Sequence, residues 1–230
     1  MAQVGLLIPG LEETGQEDIQ QVMESLCHPC FQCGLGLLRP QNQGLIYRGT
    51  PQGWLAVVSE MPGDHETKLN KALVGNAGDK WEDWAKYLEV SDQLDYLVIN
   101  VVQCQPPRAL VKGKPVGKQR SPGRDEIKAC FPNRCLRVLR AMPKLECVIT
   151  LGWVAARELL GGEPGERSHL GNWYVTDLLP GVAVYCLYHP SHLLQSPSDE
   201  KDGRSLECLG QFKREYLQAI QLAKRGKEKS

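Results

Sequence analysis

The sequence is defined first by several absences. No apolar run reaches the roughly 18 residues that a membrane span needs, and the opening MAQVGLLIPGLEE has no basic stretch ahead of its short apolar run. A membrane span and a secretory leader are therefore not expected, and the cytoplasm is the expected location. The glycine fingerprint of dinucleotide binding and the phosphate-binding P-loop are both missing, which removes the common nucleotide-cofactor readings. Internal repeats are missing as well. Formal charge balances, with 27 Lys and Arg against 27 Asp and Glu, so the surface as a whole is no polyanion trap, although a local basic loop could still grip phosphates.

Cysteine, by contrast, is plentiful. Nine occur in the 230 residues, and in a reducing compartment they read as thiols, ligands or catalysts before disulfides. Cys27, Cys30 and Cys33 form two overlapping C-x2-C pairs in CHPCFQC, and Cys104, Cys130, Cys135, Cys147, Cys186 and Cys208 follow. A C-x2-C pair with two remote cysteines can hold zinc or an iron-sulfur cluster, and spacing does not separate the two. Cys147 and Cys186 lie in apolar strand-like runs and read as buried thiols.

Apolar runs at Trp54–Ser59, Leu97–Asn100, Cys147–Leu151 and Val182–Leu187 each end in a polar loop, as buried parallel strands do. Helical spacing is predicted over 15–26, through Trp81, Trp84, Leu88 and Val90, over 125–142 and 153–160, and over Ser205–Lys224. Leu45-Ile46-Tyr47 reads as a short edge strand, Trp173–Val175 as a hairpin-like strand and 195–204 as loop. Residues 106–123 carry Arg108, Lys112, Lys114, Lys118 and Arg120 without an acid and read as a basic, mobile loop, either plainly solvated or a phosphate clamp. Strands alternating with helices predict an α/β fold: one domain over 1–230, a three-layer α/β/α sandwich around a mostly parallel sheet, with 1–21 as an extension and 225–230 as a frayed tail. In such sheets ligands bind beyond the carboxyl ends of the strands, which draws notice to Glu60 and Glu66 in SEMPGDHE.

Seven ordered stretches carry a resemblance: SEMPGDHE (59–66), LVGNAG (73–78), INVVQCQPP (99–107), QRSP with DEIKAC (119–130), LGWVAARELL (151–160), GNWY (171–174) and HPSHLL (189–194). Together they are similar to the motifs of the iron-sulfur uracil-DNA glycosylases, the thermostable family-4-like branch. The resemblance implies a monofunctional glycosylase of base excision repair that hydrolyses the glycosidic bond of uracil, or a related deaminated base, in DNA. It implies a structural 4Fe-4S cluster on Cys30, Cys33, Cys104 and Cys130 with Cys27 spare; zinc on the same thiolates is the alternative. Asn100 then reads the uracil edge, His189 donates to the uracil oxygen, Glu60 holds the attacking water, and Glu66 and Gln119 face each other across the site. Lys118, Arg120, Ser191 and His192 are the expected DNA contacts, and the protein is expected to act as a monomer.

The sequence also departs from the family pattern. Leu73 stands where an aromatic stacks on the base, and Ser59 and Met61 replace small residues beside Glu60, Met61 narrowing the pocket mouth. The segment between Pro107 and Gln119 resembles the loop of a branch that crosslinks to uracil-DNA through a histidine, yet Gln119 occupies that histidine's position, so no crosslink is expected. The competing reading is a catalytically weakened iron-sulfur nucleic-acid-binding protein of the same fold.

Overall fold

The computed structural model describes residues 16–27, 30–38, 44–111, 114–116, 119–161, 169–195 and 199–227. Four strands of five residues form its centre: β2 (Leu55–Ser59), β3 (Tyr96–Asn100), β6 (Cys147–Leu151) and β8 (Ala183–Leu187), every residue of which is buried. They run parallel in the order β3-β2-β6-β8, and the three-residue strands β1 (Tyr47–Gly49) and β7 (Trp173–Val175) close the two edges antiparallel.

Alternation along the strands sends side chains to two separate cores, because successive Cβ atoms point to opposite faces. Ala56, Val58, Leu97, Ile99, Val148 and Val184 pack on one face with α1 (Ile19–Leu26), α5 (Arg124–Cys130), α6 (Leu136–Ala141) and α7 (Trp153–Leu160). Leu55, Val57, Val98, Cys147, Ile149 and Tyr185 pack on the other with α4 (Asn76–Leu88), α8 (Pro190–Gln195) and α9 (Asp199–Lys227). The three-layer α/β/α arrangement expected from the sequence is present.

Helix starts follow local chemistry. Asp18 caps α1 by accepting from Gln20 N and Gln21 N at 2.9 and 3.0 Å, and Ile19, Val22, Met23 and Leu26 form its buried stripe. The helix predicted over 125–142 is interrupted by a turn of π-helix at Phe131–Cys135, where Pro132 has no N–H to continue the α-helical ladder.

Two expectations need correction. Residues 106–123 are not wholly irregular, since β4 (Ala109–Val111) and β5 (Lys114–Val116) pair antiparallel, with Leu110 opposite Pro115; a two-stranded ribbon tolerates a proline because both its strands are edges. The last helix starts at Asp199, inside the stretch read as loop, and continues past Lys224 to Lys227. Its polar first turns, DEKDGR, carry no apolar period by which sequence could have marked them.

Candidate active site

A cleft of about 1280 Å³ opens at the carboxyl ends of the parallel strands. Strand order fixes its layout. Asn100 ends β3, Ser59 ends β2 with Glu60 directly after it, Gly152 and Trp153 follow β6, and His189 follows β8. Glu60, Met61, Glu66, Leu73, Asn100, Gln119, His189, Ser191 and His192 all line this one cleft. Lys118 lies outside the described residues.

Asn100 is 3% exposed, and its Nδ2 is buried with no hydrogen-bond partner among the described residues. Its backbone is held by Gln103, whose Nε2 donates to Asn100 O at 2.8 Å while its Oε1 accepts from Ile46 N at 2.9 Å. The ends of β2 and β3 are further locked by Val101 N donating to Ser59 O and Val102 N to Glu60 O, at 2.8 and 3.0 Å. Asn100 is thus a fixed amide with an unused donor. A buried polar atom without a partner is uncommon enough in native proteins to require an explanation, and a ligand supplies one.

His189 has both ring nitrogens engaged. Ser191 N lies 3.1 Å from Nδ1 and can only donate, so Nδ1 is an acceptor; the Ser191 hydroxyl sits 2.7 Å from the same atom. Burial, reinforced by the charge of His192, pulls the pKa down to about 4. The ring is therefore neutral with its proton on Nε2, which donates to Ser59 Oγ at 2.9 Å. Ser59, noted in the sequence only as a departure, is the resting partner of the imidazole. Ser191, expected to touch DNA, orients the ring.

Glu60 is half-buried, and desolvation raises its carboxyl pKa, opposed by a side-chain hydrogen bond from Ser121 and by the charge of Arg157. Its Oε1 is a buried acceptor with no partner among the described residues. Asn100 and Glu60 thus present an unpaired donor and an unpaired acceptor to the same space.

Glu66 and Gln119 meet on one peptide group. Glu66 Oε2 accepts from Gly63 N at 3.0 Å, capping α3 (Asp64–Leu69), and Gln119 Nε2 donates to Pro62 O at 3.4 Å. The pair grips the Pro62–Gly63 peptide from its two ends, which fixes the turn that follows Glu60 and Met61. Leu73 is 4% exposed and adopts a left-handed backbone, φ +50°. Arg48 Nη1 donates to its carbonyl at 3.3 Å, and α4 runs so close that a Cβ on Gly78 would come within 2.3 Å of the same oxygen.

Of the remaining expected contacts, Arg120 pairs with Glu126, at 2.6 Å from Nη2 to Oε1, and Glu126 also caps α5 at Gly123 N. His192 is exposed and stacks on Tyr188, with centroids 5.8 Å apart. The sequence carries no signal for Ser121, Gln103 and Arg157, which act on Glu60 and Ile46 far along the chain, nor for Trp153, which opens a helical apolar run.

A model of the uracil DNA glycosylase superfamily matches residues 47–219. The chain belongs to this superfamily. It is also similar to proteins named Type-4 uracil-DNA glycosylase. That of Pyrobaculum aerophilum is 27% identical over 186 residues, covering 79% of this chain and 87% of the relative. That of Sulfurisphaera tokodaii is 26% identical over 190 residues, covering 80% of each. The Thermotoga maritima protein is 25% identical over 186 residues, covering 80% and 88%. The superfamily match spans every described residue that lines the cleft, from Ser59 to Arg204.

For the cysteines the geometry is mixed. Gln103 N donates to Cys130 Sγ at 3.3 Å, and burial, together with the neighbouring Cys104 and Cys30, pushes the Cys130 thiol up to about 12. Cys33 precedes α2 (Gly34–Leu37) and packs against the same core. Gly36 folds so tightly over this loop that a Cβ there would overlap Cys30 O. Among the described residues, however, no three His, Cys, Asp or Glu side chains are close enough to share one metal ion. Cys147 and Cys186 are buried thiols, as expected, with Cys186 raised to about 11 by burial. No helix among the described residues is long and apolar enough to cross a membrane.

Proposed function

We propose that the protein is a uracil-DNA glycosylase that acts in DNA repair, hydrolysing the bond between uracil and deoxyribose and leaving an abasic site. Superfamily membership and the names of the relatives support the reading. The observation that carries it to residues is the buried, unpaired Nδ2 of Asn100 in a cleft that also holds a neutral His189.

Chemistry on a base in DNA requires the nucleotide to leave the stack and enter a pocket that reads its edge. Uracil offers an acceptor at O4 beside a donor at N3, and the Asn100 amide offers the complement, Nδ2–H for O4 and Oδ1 for N3–H. Cytosine presents the reverse pattern and leaves both atoms of the amide mismatched. As the glycosidic bond breaks, its electron pair moves into the base and charge gathers on O2. His189 exchanges its Ser59 partner for that oxygen and stabilises it through Nε2–H. A fixed donor of this kind in a water-excluded site is worth about 3 to 4 kcal/mol. Glu60, ionised with the help of Ser121 and Arg157, holds the water that attacks the sugar carbon and offsets the positive charge growing on the sugar. Water oxygen bonds to that carbon, its proton passes to the carboxylate, and uracil departs as an anion. With no lysine nominated as a nucleophile, the enzyme is read as monofunctional, without a strand-cleaving step.

Cys30, Cys33, Cys104 and Cys130 would hold a 4Fe-4S cluster, which would tie α2, the segment after β3, and α5 together without taking part in the reaction. The enclosed N–H to Cys130 Sγ suits a thiolate ligand. The partner is DNA containing uracil, and the protein acts as a monomer.

The test is base release from oligonucleotides carrying U opposite G, U opposite A, single-stranded U, hypoxanthine and T, read by alkali cleavage. Release of uracil that collapses in Asn100→Ala and His189→Ala is the expected result. No release from any strand by cofactor-loaded protein would overturn the enzyme reading and favour a DNA-binding protein of the same fold.

A further inference from the structure

Trp153 is the one tryptophan among the exposed large hydrophobic side chains, at 38% exposure. Trp81 and Trp84 are buried, while Trp54 and Trp173 stack on Tyr216 and Phe212. Trp153 is the first residue of α7, directly after Gly152, whose φ of +86° turns the chain sharply at the end of β6. Because β6 lies between β2 and β8, Trp153 stands at the cleft between Glu60 and His189.

One face of the ring is already occupied. Arg157 Cζ lies 4.7 Å from the ring centroid, and the guanidinium is held in turn by Glu158 Oε1, at 2.8 Å from Nε and 2.7 Å from Nη2. The Arg157 side chain is only 15% exposed, so it forms a fixed backing rather than a wandering surface charge. The indole is thereby held before any ligand arrives, and it is part of the cleft lining. Core packing does not explain an indole kept this open. Leu73, in the wall of the same cleft, has no π-face to offer a base.

We propose that Trp153 is the stacking platform of this cleft and takes the face of an unpaired nucleobase next to the one drawn inside. The base-edge reader Asn100 is 3% exposed, at the floor, whereas Trp153 is open, which places its contact on the flanking nucleotide rather than on the target. Trp153 is then a substrate-binding residue that favours single-stranded or locally unstacked DNA. The inference rests on the cleft being a DNA site, and stacking on one aromatic ring contributes about a 5- to 140-fold gain in affinity.

The experiment titrates wild type, Trp153→Phe and Trp153→Leu with single-stranded oligonucleotides containing one uracil. Companion strands have the base removed on the 5′ or the 3′ side of that uracil, and uracil-free strands are run in parallel. Tryptophan fluorescence and Kd are read together with KM and kcat. Expected are quenching in wild type that is lost in both variants, affinity retained by Trp153→Phe, and a loss of about 5- to 140-fold in Trp153→Leu that falls on KM. Removing the neighbouring base on one side should weaken wild type and leave Trp153→Leu indifferent. Equal affinity of Trp153→Leu and wild type, or an equal penalty for the missing neighbour in both, overturns the proposal. Trp153-dependent binding without any base release would keep the platform and refute the glycosylase; base release with Trp153-independent binding would do the reverse.

Discussion

Replacing His189 by Asn should remove a specific part of the protein's acid sensitivity. A free imidazole titrates near 6.5, whereas enclosure at the end of β8 takes His189 down to about 4 in the folded protein. With the folded value below the unfolded one, the contribution to stability is fully present above pH 6.5. It is lost as pH falls towards 4, because over that range the unfolded chain binds a proton that the native ring refuses. Between pH 7.5 and pH 5.0 the term amounts to about 2 kcal/mol. Asn does not titrate and has no such term, and taking the difference between the two proteins leaves His189 and its coupling to His192. Urea unfolding at both pH values measures it, with wild type expected to lose about 2 kcal/mol more than His189→Asn on acidification. Equal losses would mean that the native ring is solvated or already charged, and the mechanism would then lose its neutral Nε2–H donor.

Other perturbations follow from single contacts. Gln103→Ala orphans Ile46 N–H and Asn100 C=O and should lower stability by about 2 to 4 kcal/mol in urea, while releasing the segment that aims Asn100 and so slowing base release. Gly78→Ala drives a methyl group against Leu73 O and should destabilise by about 1 to 3 kcal/mol with a raised KM, the thermal melt and steady-state kinetics being the checks. Glu60→Gln should flatten the acid limb of the kcat/KM profile. In wild type that limb should lie above the ordinary carboxylate range, because burial raises the Glu60 pKa and activity falls as the group protonates. Cys130→Ser should abolish the brown colour and visible absorbance of anaerobically purified protein, and Cys147→Ser should not; colourless wild type carrying one zinc would replace the iron-sulfur assignment with the zinc one.

The central strands were legible in the sequence because each is buried on both faces and so is written as an unbroken apolar run. α7 was legible because its apolar spacing starts and stops at glycines. The paired strands at 109–111 and 114–116 were hidden by the lysines in that part of the sequence, and the π turn at Phe131–Cys135 leaves helical periodicity nearly unchanged on either side of Pro132. For the site, Glu60 and His189 could be named because each stands where an apolar run gives way to a polar loop within a familiar motif, and Asn100, set between Ile99 and Val101 inside such a run, through its motif alone. Their partners could not. Ser59 meets His189 across 130 positions, and Gln103 reaches Ile46 across 57, separations that carry no local pattern. Ser59 shows the difference most clearly: its type looked like a substitution, and only the neighbouring strand gave it a role.

The order in which the strands leave the ribosome differs from their order in the sheet. Glu60 and Asn100 emerge early, but β8, which leads into His189, is added last, on the far side of β6. At ordinary elongation speeds, about 6 to 26 s separate the synthesis of Glu60 from that of His189. With the roles proposed for Asn100, Glu60 and His189, the nascent chain has, until β8 docks, a base reader and a water-holding carboxylate but no group to receive charge on a departing base. On that assignment, a product ending before residue 183 should release no base, because the residue that receives the charge has yet to be made.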